Sequence, residues 1–475
     1  MQKSQKISSE QYFEGKKQFE DQLLTLKEAA DLLGKSVHNI AYLISYKRIH
    51  KYNSAGKIAK KVGRGGIYVS KSELLEYWKN WKERLRNRME SLNITDDALA
   101  FHHISEKERT KHVHRLHPYL GKFIPQLVEH YVKANFTSKD ILLDPFMGSG
   151  TTLAVSSELG IKSVGIDISE FNCTISTAKL EDYDLQKVEN EITKIYHETE
   201  NFSKQFDDNK FAKEYKVKTN SEYLNTWFAK RTLAELLFYR NSIKNYEYQD
   251  ILKIILTRAA RSSRLVHHYD IATPKKPVRE PYVCRKHQDK ICIPIDHAIG
   301  KIKLYSFDTI ERLKKFSNLR KNKEFLILHG DSRYLNLKDI VKEKWGKNAL
   351  INGIFTSPPY VGQIDYHDQH MYAYELFGIK RYDEKEIGAK KYGKGKNAQE
   401  RYQEGISEVF RNVASVLSSK AKIFIVANDK FNLYPKIIKD SGFSQINVKE
   451  RPVEARTEGD KTPYSEKIFE CVLEY

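Results

Sequence analysis

Twelve residues carry most of the information about the architecture of this chain: Ile141-Leu142-Leu143-Asp144-Pro145-Phe146-Met147-Gly148-Ser149-Gly150-Thr151-Thr152. An apolar strand ends in an acid, a turn containing glycine follows, and a predicted helix runs to Gly160. Residues Ile161 to Ile168 then alternate into a second strand that ends at Asp167. This order of strand, turn, helix, strand and acid predicts a nucleotide-binding βαβ unit at the carboxyl edge of a parallel sheet.

The turn argues against two common nucleotide ligands. A phosphate-binding P-loop has a lysine before serine or threonine, whereas Gly150 is followed directly by Thr151 and Thr152. The third glycine of a dinucleotide fingerprint is also absent. Asp144 would repel a pyrophosphate but tolerates a cation, and Asp167 can accept hydrogen bonds from both hydroxyls of a ribose. S-adenosylmethionine fits this pattern, because it has a ribose and a sulfonium charge and lacks phosphate.

The second informative stretch is Ile354-Phe355-Thr356-Ser357-Pro358-Pro359-Tyr360. Consecutive prolines cannot continue a strand ladder because neither has an N–H to donate, so the chain must leave the sheet there. The turn then presents a hydroxyl, backbone carbonyls and a flat ring, which suit a flipped nucleobase with an exocyclic amine. Taken alone, the same residues also fit an ordinary turn.

Together the two stretches resemble the amino-methylating DNA methyltransferases, which act on N4 of cytosine or N6 of adenine. The resemblance rests on Asp-Pro-Phe-x-Gly-Ser-Gly-Thr-Thr from Asp144 and Thr-Ser-Pro-Pro-Tyr from Thr356, and it covers residues 115–180 and 325–475. It implies an α/β fold with a Rossmann-like, seven-stranded methyltransferase sheet. It also implies S-adenosylmethionine as cofactor and double-stranded DNA as substrate.

The resemblance assigns roles to residues of the predicted site. The hydroxyl of Ser357 and the carbonyl of Pro358 are expected to accept the hydrogens of the target amine. Pro359 completes this catalytic turn, and Tyr360 is expected to stack on the extruded base. No metal ligand belongs to the predicted site. The predicted cofactor-binding residues are Phe123, Ile124, Asp144, Pro145, Phe146, Gly148, Ser149, Gly150, Asp167, Ile168, Asp331, Ser332 and Thr356.

The identity of the target base depends on Ser357. In the resembling family, serine before Pro-Pro-Tyr is commonest among enzymes that methylate the cytosine amine, and aspartate among those that methylate the adenine amine. We therefore expect N4 of cytosine, with N6 of adenine as the alternative. A DNA-binding regulator that uses the fold only to sense cofactor is a further alternative. No cysteine follows a proline, which argues against the covalent mechanism of ring-carbon cytosine methylation.

The composition favours a nucleic-acid partner. The 475 residues carry a formal net charge of +19, which attracts a polyanion. Four cysteines are too few for a disulfide framework and fit a reducing cytosol. No apolar run approaches the length that spans a membrane. These features predict a cytoplasmic, nucleoid-associated prokaryotic protein, with a cognate restriction endonuclease or another defence component as a further partner.

The N-terminal region is predicted to be a separate DNA-binding domain. Residues 22–83 show the order helix, turn, helix, basic hairpin, helix, with Thr25 as N-cap and Gly34 at the end of the first helix. This pattern resembles the winged helix-turn-helix domains of excisionase and MerR-type proteins. A small protein-interaction module is the alternative. Residues 1–21 are expected to be a disordered tail, and residues 84–114 a basic connector.

Basic residues outside the catalytic stretches are expected to contact DNA. In the predicted wing these are Lys60, Lys61 and Arg64. Residues 181–324 are too long for a crossover between two strands, so they form an inserted helical region and the candidate target-recognition region. Its basic residues include Arg258, Arg261, Arg264, Lys275, Lys276 and Arg279, for which a solvated helix face is the alternative. A loop with Arg451 and Arg456 is also expected to face DNA.

Two further segments carry concentrated polar chemistry. Residues 363–370 follow the catalytic turn and are rich in histidine, tyrosine and acids, so they are expected to close over the flipped base or enter a groove. The pattern Cys284-x2-His287-x4-Cys292-x4-His297 has the intervals of a zinc knuckle with the ligand types exchanged. A structural zinc site and a set of half-buried cysteines with loop histidines both explain this pattern.

Overall fold

The computed structural model describes residues 22–474, apart from residues 36, 46–47, 60–65, 92–96, 102–103, 105, 120, 122, 269, 273, 285–286, 288–289 and 454–463. The chain divides into two compact units, Met1–Leu92 and Asn93–Tyr475. The predicted tail and the wing cations Lys60, Lys61 and Arg64 lie outside the described residues, as does Arg456. No described helix combines the length and the apolar character that crossing a membrane requires.

The described part of the N-terminal unit contains helices and a small antiparallel sheet. Its elements are β1 (Leu23–Thr25), α1 (Leu26–Leu33), α2 (Val37–Ser45), β2 (Tyr68–Ser70) and α3 (Lys71–Ser91). The sequence places the boundary with the connector at residue 83, whereas α3 continues as one helix to Ser91.

The start and end of α1 follow directly from its sequence. The Thr25 hydroxyl accepts the backbone N–H of Glu28 at 3.2 Å, and the Glu28 carboxylate accepts that of Thr25 at 2.8 Å. This reciprocal pair satisfies N–H groups that a helix start leaves without partners. Gly34 ends the helix in the left-handed conformation, with φ of 61°. Both predicted caps are confirmed, while recognition of DNA by this unit stays a prediction.

The second unit is built on a long series of strands and helices. Its strands are β3 (Ile141–Asp144), β4 (Lys162–Asp167), β5 (Tyr282–Cys284), β6 (Lys290–Cys292), β7 (Phe325–His329), β8 (Ile351–Thr356), β9 (Leu417–Ala427), β10 (Phe443–Val453) and β11 (Tyr464–Leu473). Its helices are α4 (Glu106–Arg109), α5 (Pro125–Asn135), α6 (Thr151–Leu159), α7 (Glu170–Leu180), α8 (Leu185–Lys204), α9 (Asn209–Glu214), α10 (Glu222–Trp227), α11 (Lys230–Ser242), α12 (Gln249–Ser262), α13 (Ile299–Ser317), α14 (Leu337–Trp345), α15 (Tyr366–Gln369), α16 (Met371–Phe377), α17 (Lys396–Ala414) and α18 (Tyr434–Asp440).

The central sheet has seven strands in the order β10-β11-β9-β8-β3-β4-β7. Strands β7, β4, β3, β8 and β9 run parallel, and β11 runs antiparallel to both of its neighbours. The predicted α/β fold with a seven-stranded sheet is confirmed. Because β3, β4, β7 and β8 are parallel, their carboxyl ends lie along the same edge of the sheet, where ligands bind in open α/β folds.

Helices cover both faces of this sheet. Leu142 and Phe355 point to the face that α5 covers. Leu143 and Ile354, the next residue in the first strand and the preceding one in the second, point to the face covered by α14, α17 and α18. Successive strand side chains alternate between faces, so the all-apolar strands are explained by burial on both sides.

The predicted insertion is helical, and its main helix is buried. Helices α8 to α13 lie between α7 and β7 in the chain, and all of them except α9 share a hydrophobic cluster with α7 and α16. The expectation that the arginines of α12 and its end face DNA is wrong for Arg258 and Arg264, which are 6% and 5% exposed. Arg258 donates to the Thr309 hydroxyl at 3.1 Å, and Arg264 donates to the Ile271 carbonyl at 2.6 Å. Helical spacing showed that these residues share a face, and α13 covers that face at Arg258.

Candidate active site

A cleft lies at the carboxyl edge of the sheet. It holds about 900 Å³ of empty space, open solvent included. Most of the residues predicted for the site line it together. These are Phe123, Pro145, Phe146, Gly148, Ser149, Asp167, Ile168, Asp331, Ser332, Ser357 and Pro359. The remaining predicted residues lie beside the cleft and do not line it: Ile124, Asp144, Gly150, Thr356, Pro358 and Tyr360.

The Asp144 carboxylate accepts three hydrogen bonds from the protein. Its carboxylate accepts the hydroxyls of Thr356 at 2.7 Å and Thr152 at 2.8 Å, and the backbone N–H of Phe146 at 3.2 Å. Only 1% of the residue is exposed. Burial raises the pKa of Asp144 to about 6, although the three donors lower it. Asp144 therefore ties the end of β3 to the start of α6 and the end of β8, and it does not line the cleft.

The glycine-containing turn is tightly packed under the cleft. Gly148 and Gly150 have φ values of 52° and 71°, in the region that favours glycine. A Cβ atom on Gly148 would lie 3.1 Å from the Tyr119 hydroxyl, and one on Gly150 would lie 2.6 Å from the Ser176 hydroxyl. The glycines therefore serve both the backbone conformation and the close approach of neighbouring side chains.

In the predicted catalytic turn, the Ser357 hydroxyl has no hydrogen-bond partner among the described residues, whereas the Tyr360 hydroxyl is hydrogen-bonded to the protein. Ser357 is half-buried in the cleft wall, and its hydroxyl forms no hydrogen bond with any described residue. Tyr360 instead donates its hydroxyl to Glu466 at 2.7 Å. Glu466 pairs with Arg451 at 2.7 Å, and Arg451 is 1% exposed. The prediction that Arg451 faces DNA is wrong, because Arg451 belongs to β10 rather than to a loop, and this strand places it inside the fold.

Comparison with known proteins gives one consistent family. A family model described as a DNA methylase matches residues 12–178, and one described as a D12 class N6 adenine-specific DNA methyltransferase matches residues 121–252. Type II methyltransferase M.MjaII of Methanocaldococcus jannaschii is 42% identical over 95% of this chain and 97% of that protein. This chain belongs to the amino-methylating Type II DNA methyltransferases. The resemblance stated from the two stretches is confirmed, and the methyltransferase uses S-adenosylmethionine.

Other relatives of the methyltransferase are more distant. Type II methyltransferase M.MvaI of Kocuria varians is 22% identical over 60% of this chain and 61% of that protein. Among solved structures, the rRNA methyltransferase aviRa from Streptomyces viridochromogenes is 11% identical, with a TM-score of 0.29 over 75% of this chain and 88% of that one. A likeness of that size carries no argument about function.

The cofactor half is our name for the part of the cleft lined by Phe123, Phe146, Ser149, Asp167, Asn172, Asp331 and Ser332, after its predicted ligand. The Ser149 hydroxyl and the side-chain oxygen of Asn172 are buried without a hydrogen-bond partner among the described residues, and both residues line the cleft. Buried polar atoms without partners are rare in proteins, so they mark positions where a ligand supplies the missing hydrogen bonds. The apolar rings of Phe123 and Phe146 line the same cleft and can pack against an adenine ring.

Asp167 is held in place by three protein donors. Its carboxylate accepts the N–H groups of Gly148 and Ser169, each at 2.8 Å, and the Asn172 amide at 3.0 Å. A carboxylate offers roughly four acceptor positions. About one therefore remains, which suits a bond to one ribose hydroxyl better than bonds to both. Burial raises the pKa of Asp167 to about 6.

Asp331 and Ser332 also form hydrogen bonds with other groups of the methyltransferase. Asp331 accepts Nε of Arg333 at 2.9 Å and its Nη2 at 2.6 Å. The Ser332 hydroxyl donates to the Pro145 carbonyl at 2.7 Å, which joins the end of β7 to the glycine-containing turn. The predicted contact of Asp331 with the cofactor has to be made by a carboxylate that already has a partner.

Sequence reasoning missed one group of residues that line the cleft. Tyr366 and His367 come from the polar segment 363–370, which was expected at the base rather than at the cofactor. The His367 backbone N–H donates to Glu386 at 3.0 Å, and its Nδ1 bonds the same carboxylate. The backbone N–H of Tyr382 donates to Nε2 at 3.2 Å, so Nδ1 carries the proton. The density of polar residues was the available signal, but Glu386 lies 19 residues away in sequence.

Proposed function

We propose that this methyltransferase modifies N4 of cytosine within a specific site in double-stranded DNA. The proposal is carried by Ser357, a neutral hydroxyl in the cleft wall with no hydrogen bond to any described residue. Serine at this position is commonest among the cytosine-amine members of the family. A hydroxyl without an internal partner is free to accept a hydrogen from the target amine.

The chemistry assigned to the turn follows from the weakness of the nucleophile. The exocyclic amine is a poor nucleophile because its lone pair is delocalised into the ring. Acceptance of its hydrogens by the Ser357 hydroxyl and the Pro358 carbonyl would stabilise the positive charge that develops on nitrogen. Tyr360 would stack on the extruded base, and its bond to Glu466 at 2.7 Å would fix the tip of the ring. S-adenosylmethionine supplies the activated methyl group.

N6 of adenine is the second candidate target. It is favoured by the match of residues 121–252 to a family model described as N6 adenine-specific. That range covers the predicted cofactor-binding residues from Phe123 to Ile168 and part of the insertion, and it ends before Asp331 and Ser357. The catalytic turn therefore argues for cytosine, and the cofactor half supports adenine.

Nucleoside mass spectrometry distinguishes the two bases. DNA of mixed sequence would be incubated with the protein and isotopically labelled S-adenosylmethionine, then digested to nucleosides. We expect label in N4-methylcytosine. Label confined to N6-methyladenine would overturn the choice of base and keep the reaction, whereas cofactor binding without label in any DNA would support the regulator. The Ser357→Ala protein, prepared identically, controls for a contaminating methyltransferase.

The N-terminal unit is proposed to add affinity for duplex DNA. A basic helix-turn-helix would bind phosphates, and the slope of log affinity against log salt falls by about 0.9 for each phosphate that is no longer neutralised. Deletion of residues 1–92, the first compact unit, should weaken DNA binding and lower that slope. Unchanged affinity and slope would assign DNA binding to the second unit alone.

We also propose that the protein is the modification enzyme of a restriction-modification system. Its relatives are named Type II methyltransferases, and a cognate endonuclease would share its target sequence. Once the methylated site is mapped, plasmid DNA modified by this protein should resist endonucleases that cut that site. Cleavage at the normal rate by an amine-sensitive endonuclease would contradict the proposal.

A further inference from the structure

The hairpin of β5 and β6 in the insertion has very little core of its own. Each strand has three residues, and the pair is separate from the central sheet. Cys284 is buried, whereas Val283 and Ile291 are 60% and 73% exposed. An isolated two-stranded hairpin is marginally stable at best in water. Something other than apolar burial must therefore stabilise this hairpin.

Four metal-ligand side chains meet beside the hairpin. The sulfur atoms of Cys284 and Cys292 and one ring nitrogen each of His268 and His287 all lie within 4.8 Å of one another. Sγ of Cys284 lies 3.6 Å from Nδ1 of His268, and Sγ of Cys292 lies 3.0 Å from Nδ1 of His287. In a tetrahedral zinc site with ordinary bond lengths, sulfur and nitrogen ligands are about 3.6 Å apart.

We infer that these four residues form a structural zinc site. Two thiolates and two imidazoles are a ligand set that selects zinc in tetrahedral geometry. Four protein ligands leave no open position, so the site is structural rather than catalytic. The free energy of metal binding would supply the stability that the hairpin lacks.

One of the four ligands in the structure differs from those expected from the sequence pattern. His297 lies outside the cluster; its side chain is 52% exposed, and its Nδ1 bonds Asp296 at 2.6 Å. His268 takes its place, although it precedes Cys284 by 16 residues. Local spacing could not find this ligand, because only the fold brings it to the hairpin.

Tyr282 brings His268 to the site. The Tyr282 hydroxyl accepts the backbone N–H of His268 at 3.1 Å, and the two rings lie 5.9 Å apart. His268 follows the end of α12, whereas the other three ligands belong to the hairpin that leads to α13. A zinc ion would therefore cross-link the two ends of the segment that joins these buried helices.

The first test is the metal content of the full-length protein, produced without a histidine tag and purified without chelators. Elemental analysis should find about one zinc per chain, released when a mercurial reagent modifies the thiols. His268→Ala should lower the zinc content severalfold or more, and His297→Ala should keep it. This pair of variants distinguishes the ligand set seen in the structure from the one expected from spacing. Loss of zinc in His297→Ala with retention in His268→Ala would overturn the assignment.

A titration with cobalt(II) tests the site in the wild-type protein, so its result does not depend on variants that fold poorly. Metal-free wild-type protein titrated with cobalt(II) should show the visible bands of a tetrahedral ion and charge-transfer absorption from two thiolates. Cys284→Ser or Cys292→Ser should reduce that charge-transfer absorption by about half if the variant binds at all. Absence of tetrahedral cobalt in folded wild-type protein, or a Cys284–Cys292 disulfide in freshly purified protein, would contradict the site.

Discussion

The carboxylates of the cofactor half and the hydroxyl of the base half differ in the hydrogen bonds that the protein gives them. In the cofactor half, Asp167 and Asp331 each accept several hydrogen bonds from the protein, as does Asp144 beside the cleft. In the base half, which is the cleft wall formed by Ser357 and Pro359, the Ser357 hydroxyl has no hydrogen-bond partner among the described residues. A buried carboxylate without hydrogen-bond donors costs much free energy, whereas a half-exposed hydroxyl without a protein partner costs little. The carboxylates at the cofactor half are thus held in place by the protein, and we expect the substrate to complete the hydrogen bonding of Ser357.

The largest expected effect comes from Ser357→Ala, which acts only in the base half. If the hydroxyl accepts a hydrogen of the target amine in the transition state, turnover should fall by about 10²- to 10³-fold. Thermal unfolding and cofactor affinity should stay close to wild type, because the hydroxyl bonds no described residue. Single-turnover methylation and calorimetric titration with S-adenosylmethionine measure the two quantities. Retained turnover would remove Ser357 from the chemistry.

Asp144→Ala should act in the opposite way, mainly on stability. The change would leave the hydroxyls of Thr152 and Thr356 and the N–H of Phe146 without their acceptor in a buried site. Unsatisfied buried groups cost about 1–3 kcal/mol each, and relief of the buried charge offsets part of this cost. We expect a net loss of about 2 kcal/mol in urea unfolding.

Asp144→Asn is the matched control, because the amide keeps the size and one acceptor oxygen. It should lose less stability than Asp144→Ala. A variant with unchanged stability and much weaker cofactor binding would show instead that the Asp144 carboxylate contacts the ligand.

The contrast between the halves also explains what the sequence could predict. The strand ends, the glycine-containing turn and Asp167 follow from local patterns, and the structure places them together. The partners of Asp144 do not follow, since Thr356 is 212 residues away and only the register of β3 and β8 brings it close. The burial of Arg258 and the recruitment of His268 are likewise long-range results. Spacing shows which residues share a face, and packing determines what covers that face.

A smaller effect is expected from Asp167→Ala, which tests the cofactor half. Loss of one bond to a ribose hydroxyl from a charged acceptor should weaken S-adenosylmethionine binding by about 10- to 100-fold. Turnover at saturating cofactor should change much less than in Ser357→Ala. Isothermal titration of the two variants side by side measures the contrast. Equal loss of cofactor affinity in both would remove the proposed division between the halves.

The smallest effect is the pH dependence of cofactor binding. Burial raises the pKa of Asp167 from its ordinary 3.8 to about 6. The ionised carboxylate can accept from the cofactor, so affinity should be nearly constant above about pH 7 and fall up to about tenfold at pH 5. Stability has the opposite sign: the raised pKa contributes stability below about pH 4 that is lost as pH rises through 6. Titrations from pH 5 to 8 should show the decline in wild type and in Asp144→Asn.

Asp167→Asn is the variant that separates this effect from other titrating groups. His367 interacts electrostatically with Asp167 and lines the same cleft, so His367→Gln is the second variant to compare. If Asp167 is responsible, its amide variant should bind more weakly at neutral pH and show a flat profile from pH 5 to 8. A profile that keeps its slope in Asp167→Asn and loses it in His367→Gln would transfer the dependence to the histidine. The carboxylate would then orient the turn rather than hold the cofactor, and both halves of the cleft would owe their ligand contacts to neutral groups.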